Sequence, residues 1–197
     1  MRNLAPVFLA TLALAACGGD DGGALGGDVV GSWRSLPSSF STDPPPVAER
    51  QVLTFAADGT YTSASSGSTS TGTYQIDGGD LVGTSSDGKV SRTPYHASAT
   101  RLVFGALTSD TGGAELPGTW TGHVENDGVT MDVTLILRAD QSAHLDQQRS
   151  DGNSLVVDGT WAAQGDDVAV SLMIGTSNVR LLSAHVDGVL GSPFERL

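Results

Sequence analysis

Apolar and polar residues alternate with a period of two over most of the chain. In the clearest case Val129, Met131, Val133, Leu135 and Leu137 fall on one face, Thr130, Asp132, Thr134 and Arg138 fall on the other, and only Ile136 breaks the pattern. A helix would scatter those five apolar residues around its axis, so the spacing predicts a strand with one buried face. Val168, Val170, Leu172 and Ile174 repeat the pattern, and Leu155, Val157 and Trp161 line one face of the run between. Earlier in the chain Val29, Gly31 and Trp33 alternate with Val30 and Ser32, and Leu53 and Phe55 with Val52 and Thr54. Asp58-Gly59 then turns the chain into Thr60-Tyr61-Thr62, which is a hairpin signal. Residues 63–71 read as a Ser/Thr/Gly loop, followed by strand-like runs at 73–76, 80–84, 90–97 and 101–106. Beyond the first apolar segment, no stretch of ten or more residues has helical periodicity with caps. The prediction is an all-β chain.

The alternating runs come in two copies. Trp33 and Trp120 lie 87 positions apart, and the same offset maps Gly72-Thr73-Tyr74 onto Gly159-Thr160-Trp161, and Gly78, Asp80 and Leu81 onto Gly165, Asp167 and Val168. Gly88 maps onto Gly175 and Leu102-Val103 onto Val189-Leu190 in the same way. Leu53, Phe55 and Asp58 match Leu135, Leu137 and Asp140 at an offset of 82. The first copy therefore holds five more residues (87 − 82) before this hairpin, around Pro44-Pro45-Pro46, and the second holds five more after it, around Ser150-Asp151-Gly152-Asn153. Turn residues cluster at both places, where loops absorb insertions. Each copy offers six to eight short strands, which suits an antiparallel meander that curls and closes to remove its edges.

The amino terminus adds a location. Arg2 is followed by an apolar run, residues 4–16, too short to span about 30 Å of hydrocarbon as a permanent anchor. It ends at Leu14-Ala15-Ala16-Cys17-Gly18, which resembles the lipobox of bacterial lipoproteins. The resemblance implies cleavage before Cys17, a diacylglycerol thioether on its sulfur and an acyl chain on its new amino group, and hence a membrane anchor without a spanning helix. Gly18, where an Asp would favour the inner membrane, implies the outer membrane of a bacterial envelope. An ordinary cysteine in a cleaved secretory signal is the competing reading. Cys17 is the chain's one cysteine, so with it lipidated no disulfide, thiolate metal site or cysteine nucleophile is left.

Composition narrows the partners. The formal net charge is −12, and removal of residues 1–16, whose only charge is on Arg2, makes the mature protein more acidic still. Nucleic acid and anionic membrane faces are poor electrostatic partners for such a chain. Residues 18–28 form a Gly/Asp tether with an r.m.s. reach of about 18 Å, which keeps the folded part near the bilayer.

The Gly-x-Trp opening of each copy, the hairpin around Phe55-Ala56-Ala57-Asp58-Gly59-Thr60, the Gly-Thr-Tyr or Gly-Thr-Trp strand and a last strand with Leu102 or Val189 together resemble the small lipocalin-like domains of bacterial lipoproteins. The second copy departs from that pattern, with Asp140-Gln141-Ser142 in place of Asp58-Gly59-Thr60. The resemblance implies two tandem small antiparallel β-barrels at 29–107 and 117–197, joined by a linker at 108–116. It further implies that Trp33 and Trp120 close the barrel bases and that any ligand sits at a mouth.

No catalytic constellation stands out. His96, His123, His144 and His185 lack metal-ligand spacing, and none maps onto another between copies. Asp77-Gly78-Gly79-Asp80 and Asp166-Asp167 offer carboxylates, but without the alternating acidic loop of a calcium cage, and Asp beside Gly is ordinary turn chemistry. There is no Gly-x-Ser-x-Gly elbow and no phosphate-binding glycine loop before a helix. Trp33, Phe55, Tyr61, Tyr74, Trp120 and Trp161 either line an apolar pocket or fill a core, and a barrel of about eight strands is only just wide enough for its own side chains or one small ligand. The expectation is a lipid-anchored, non-catalytic envelope protein with no cofactor and no metal. It would bind a small apolar ligand or an envelope partner through a barrel mouth or the face between copies. Solid barrels that contact partners through loops at 44–46 and 63–71 are the alternative.

Overall fold

A computed structural model describes residues 26–109 and 115–197. Within them lie β1 (Gly31–Ser35), β2 (Val52–Phe55), β3 (Thr60–Ser65), β4 (Ser68–Asp77), β5 (Asp80–Ser85), β6 (Val90–Ala97) and β7 (Arg101–Ser109) of the first copy. The second copy supplies β8 (Gly118–Asn126), β9 (Val129–Leu137), β10 (Ser142–Arg149), β11 (Ser154–Gln164), β12 (Asp167–Ile174), β13 (Ser177–Val186) and β14 (Val189–Arg196). Each strand pairs antiparallel with its neighbours in sequence, and β1 pairs with β14. The strands thus form one fourteen-strand antiparallel sheet that closes in a ring, which leaves no free edge among the described residues for another chain to extend. Two separate tandem barrels, expected at 29–107 and 117–197, are not shown by this pairing.

A second contact crosses that ring. β7 pairs with β14 from Arg101↔Glu195 to Thr108↔Val189, with a register shift between Leu190 and Ser192. The bulge has a steric cause. Gly105 has φ +69°, and a Cβ at Gly191 would meet Val103 Cγ1 at 2.8 Å and the Gly105 carbonyl oxygen at 2.9 Å. On one side of the bulge Leu102 faces Phe194, and both join a core with Val29, Trp33, Leu53, Phe55, Tyr74, Leu81 and Tyr95. On the other side Leu107 faces Leu190, and both join a core built around Trp120, Val133, Leu135, Leu145, Val168 and Leu172. One pair of strands therefore walls off two apolar interiors, one for each copy.

Two details depart from the sequence reading. Residues 63–71 are a tight hairpin, β3 to β4, with Ser66 and Gly67 at φ +34° and +82° in the turn. Its Ser and Thr side chains hid the period-two pattern because both faces are polar. Thr108 and Ser109, placed in the linker, end β7, where they pair with Thr121 and Trp120.

The copies repeat hydrogen bonds as well as residues. The Thr60 amide and hydroxyl both donate to Asp58 Oδ1, and those of Ser142 to Asp140 Oδ1. These bonds hold both exposed carboxyls below the usual carboxylate range. Gly59 at φ +83° corresponds to Gln141 at +66°, so the second copy keeps the same turn with a residue that tolerates it less well. The Tyr74 hydroxyl donates to the Ala56 carbonyl at 2.9 Å, and Trp161 Nε1 to the corresponding Arg138 carbonyl at 2.8 Å. A Cβ on Gly72 would lie 2.2 Å from the Thr84 carbonyl oxygen, and one on Gly159 2.1 Å from that of Ser171, so strand crowding demands glycine in both copies.

Candidate functional site

Residues that pair directly across an antiparallel ladder share a face of the sheet, which allows the two interiors to be compared row by row. In the second copy Leu137, Ala143, Gly159 and Leu172 form one inward row, Leu135, Leu145 and Val157 the next, and Trp161, Val170 and Leu181 a third. The matching rows of the first copy are Phe55, Tyr61, Gly72 and Ser85; then Leu53, Ser63 and Ser70; then Tyr74, Gly83 and Ser91. Leu145, Val157, Leu172, Val170 and Leu181 are thus replaced by Ser63, Ser70, Ser85, Gly83 and Ser91. The second interior is closed, with Leu145, Val170 and Leu172 at 1–3% exposure. In the first, Ser63, Ser85 and Ser91 are half-buried and Ser70 is exposed.

Small hydroxyl side chains therefore stand in the first copy where the second has branched aliphatic ones, at the end where β1–β2, β3–β4 and β5–β6 connect. The base of the first interior is apolar, with Phe55 and Tyr74 edge to face at 5.1 Å. Above them Tyr61, 6.4 Å from Phe55 between ring centroids, occupies the space that Ala143 leaves in the other copy. Tyr61 Cε1 would lie only 2.6 Å from a Cβ on Gly72, so that glycine also makes room for the ring. Burial, and then the charge of Asp87, push the Tyr61 hydroxyl's pKa up, so it stays a neutral donor and acceptor. Gln51 Nε2 donates to Ser63 Oγ at 3.1 Å, while the Ser70 and Ser91 hydroxyls have no partner among the described residues.

Beside this mouth the extra residues of the first copy act as a strap. The β1–β2 connection crosses to the second copy, where the Ser39 amide donates to Asp167 Oδ2 at 2.6 Å. Arg180 donates to the Phe40 carbonyl at 3.1 Å and lies 5.4 Å from that ring's centroid. A cleft of about 170 Å³ runs beneath it, lined by Ser35, Leu36, Pro37, Arg50, Leu182 and Pro193 among others. That is near the volume of an engineered cavity of about 150 Å³ that takes benzene, and below the roughly 300–1,000 Å³ of drug-sized pockets.

The residues singled out from sequence fall elsewhere. Cys17, with the whole leader and tether up to residue 25, lies outside the described residues. Trp33 and Trp120 are both fully buried. Trp33 Nε1 donates to the Val29 carbonyl at 2.7 Å; Trp120 Nε1 has no such partner among the described residues, and its ring meets His185 edge-on at 5.1 Å. His96, His123 and His144 each pair with one aspartate, Asp187, Asp132 and Asp158, at 3.0, 2.6 and 2.8 Å. Among the described residues no three His, Cys, Asp or Glu side chains converge as a metal site, and no helix is long and apolar enough to cross a membrane. The polar mouth was missed because residues 63–71 read as loop. Setting Ser63 against Leu145 at the 82 offset, and Ser70 against Val157 at 87, is the signal that would have found it.

No family model, curated protein or solved structure matches this chain.

Proposed function

We propose that this is a non-catalytic lipoprotein, held on the envelope membrane through lipid on Cys17, whose two lipocalin-like copies share the β7–β14 wall and have divided their roles. The second copy is a solid scaffold, and the first binds a small ligand at its open, polar mouth. The observation behind this reading is the row-by-row replacement of Leu145, Val157, Leu172 and Leu181 by Ser63, Ser70, Ser85 and Ser91 at the same inward positions. Replacing the buried Leu145 and Leu172 gives up about 1.5–3 kcal/mol of apolar burial each, and replacing the partly buried Val157 and Leu181 gives up less, a cost that core packing alone does not select for. The strap, which ties the rim of the first copy to Asp167 and Arg180 of the second, holds that mouth in a fixed place.

Native mass spectrometry of the protein released from its host's envelope tests the reading. A small molecule retained by the native chain and lost from the Ser63→Leu/Ser70→Val variant supports it. A native chain that is empty, and whose contacts map only to protein partners, favours the solid-scaffold alternative.

A further inference from the structure

The chemistry of the mouth, if it is the binding site as read above, also selects a ligand class. Gln51, Tyr61, Ser63, Ser70, Ser85 and Ser91 carry no charge, and the charges beside them, Asp87 on the Ser85 hydroxyl and Lys89, are paired with each other at 3.3 Å, so neither stands alone to hold an anionic group or an amine. The acidic chain as a whole repels anions further. An apolar ligand would strip water from these hydroxyls and return no hydrogen bond, at roughly 1–3 kcal/mol for each group left unpaired. What matches is a neutral molecule with many hydroxyls of its own, flat enough on one side to lie against an aromatic ring.

We infer that the first copy binds a neutral saccharide, with its C–H face against Tyr61 and its hydroxyls bonded to Ser63, Ser70, Ser91 and the Gln51 amide. Ser and Gln both donate and accept, as sugar hydroxyls do, so each bond can form in either direction. The single Ser85 hydroxyl proton is taken by Asp87, with the Lys89 carbonyl as the other acceptor in reach, which leaves its oxygen to accept. A site built around hydroxyl partners discriminates strongly against ligands that lack them.

The test is calorimetric titration and hydrogen-exchange mapping of the full chain in phosphatidylcholine nanodiscs. The probes are cellobiose, diacetylchitobiose and maltose, with lauric acid as the apolar comparison. The expected result is saturable binding of at least one disaccharide, protection confined to β3, β4 and the β5–β6 turn, and at least tenfold weaker binding by Ser63→Leu/Ser70→Val. That variant carries the residues the second copy uses at these positions, so its unfolding midpoint should be unchanged or raised. Lauric acid binding at the same strands, with no disaccharide bound, overturns the saccharide inference and leaves the mouth as a site. No protection of these strands by any of the four probes overturns both.

Discussion

Trp33 and Trp120 occupy equivalent buried positions but differ in one bond, and that difference can be measured. Truncating either to Ala removes a whole buried indole and should cost about 3–5 kcal/mol in urea unfolding. Phenylalanine separates them. Trp33→Phe leaves the Val29 carbonyl without its donor and should cost about 1 kcal/mol more than Trp120→Phe, which removes an N–H that has no partner among the described residues. His185 packs against Trp120, and burial lowers its pKa from the ordinary 6.5, an effect only partly opposed by Asp166. A histidine harder to protonate in the folded than in the unfolded chain adds no penalty above that value. Stability should therefore fall as pH drops below 6.5 towards its lower folded pKa. His185→Asn should flatten this part of the stability profile, and an unchanged profile would refute the assignment.

At the scale of elements, the β2–β3 and β9–β10 hairpins are one design written with two turn residues. Gln141 at φ +66° bears the strain that Gly59 avoids at +83°. Gln141→Gly should stabilise the protein by about 1 kcal/mol, and Gly59→Ala should destabilise it by a similar amount, both read from thermal unfolding. The strap is an element of another kind, since it has no counterpart in the second copy and depends on Asp167. Asp167→Ala should speed exchange of the Ser39 amide while leaving the amides of β12 and β13 protected; equal exchange in both proteins would show that the strap is held by packing alone.

For the whole molecule the decisive feature is that β7 and β14 each contribute to both cores. Neither core keeps its wall if the other opens, so chemical denaturation should follow a single transition seen alike by Trp33→Phe and Trp120→Phe reporters. Two separated transitions would mean that the copies are independent. The proposed anchor is a property of the whole chain as well. Cys17→Ser should move the protein from the membrane to the soluble fraction, and retention on the membrane would remove the lipid from the account.

Alternation in Val129–Leu137, the Asp-Gly turns and the two offsets of 82 and 87 are local or one-dimensional signals, and from them the sequence by itself determined the all-β class, most strands and their correspondence between copies. It could not decide closure. Whether β14 pairs with β1, β7 or both depends on which backbones meet from far apart in the sequence, and on the small bulge at Gly105 and Gly191 that turns one strand pair towards two cores. The same limit hid the mouth. Ser63 and Ser70 read as loop because polar residues on both faces erase the periodicity, and only their register opposite Leu53 shows that they point inward, where the other copy places Leu145 and Val157. Direction relative to a core is a relation between strands, and tertiary pairing alone supplies it.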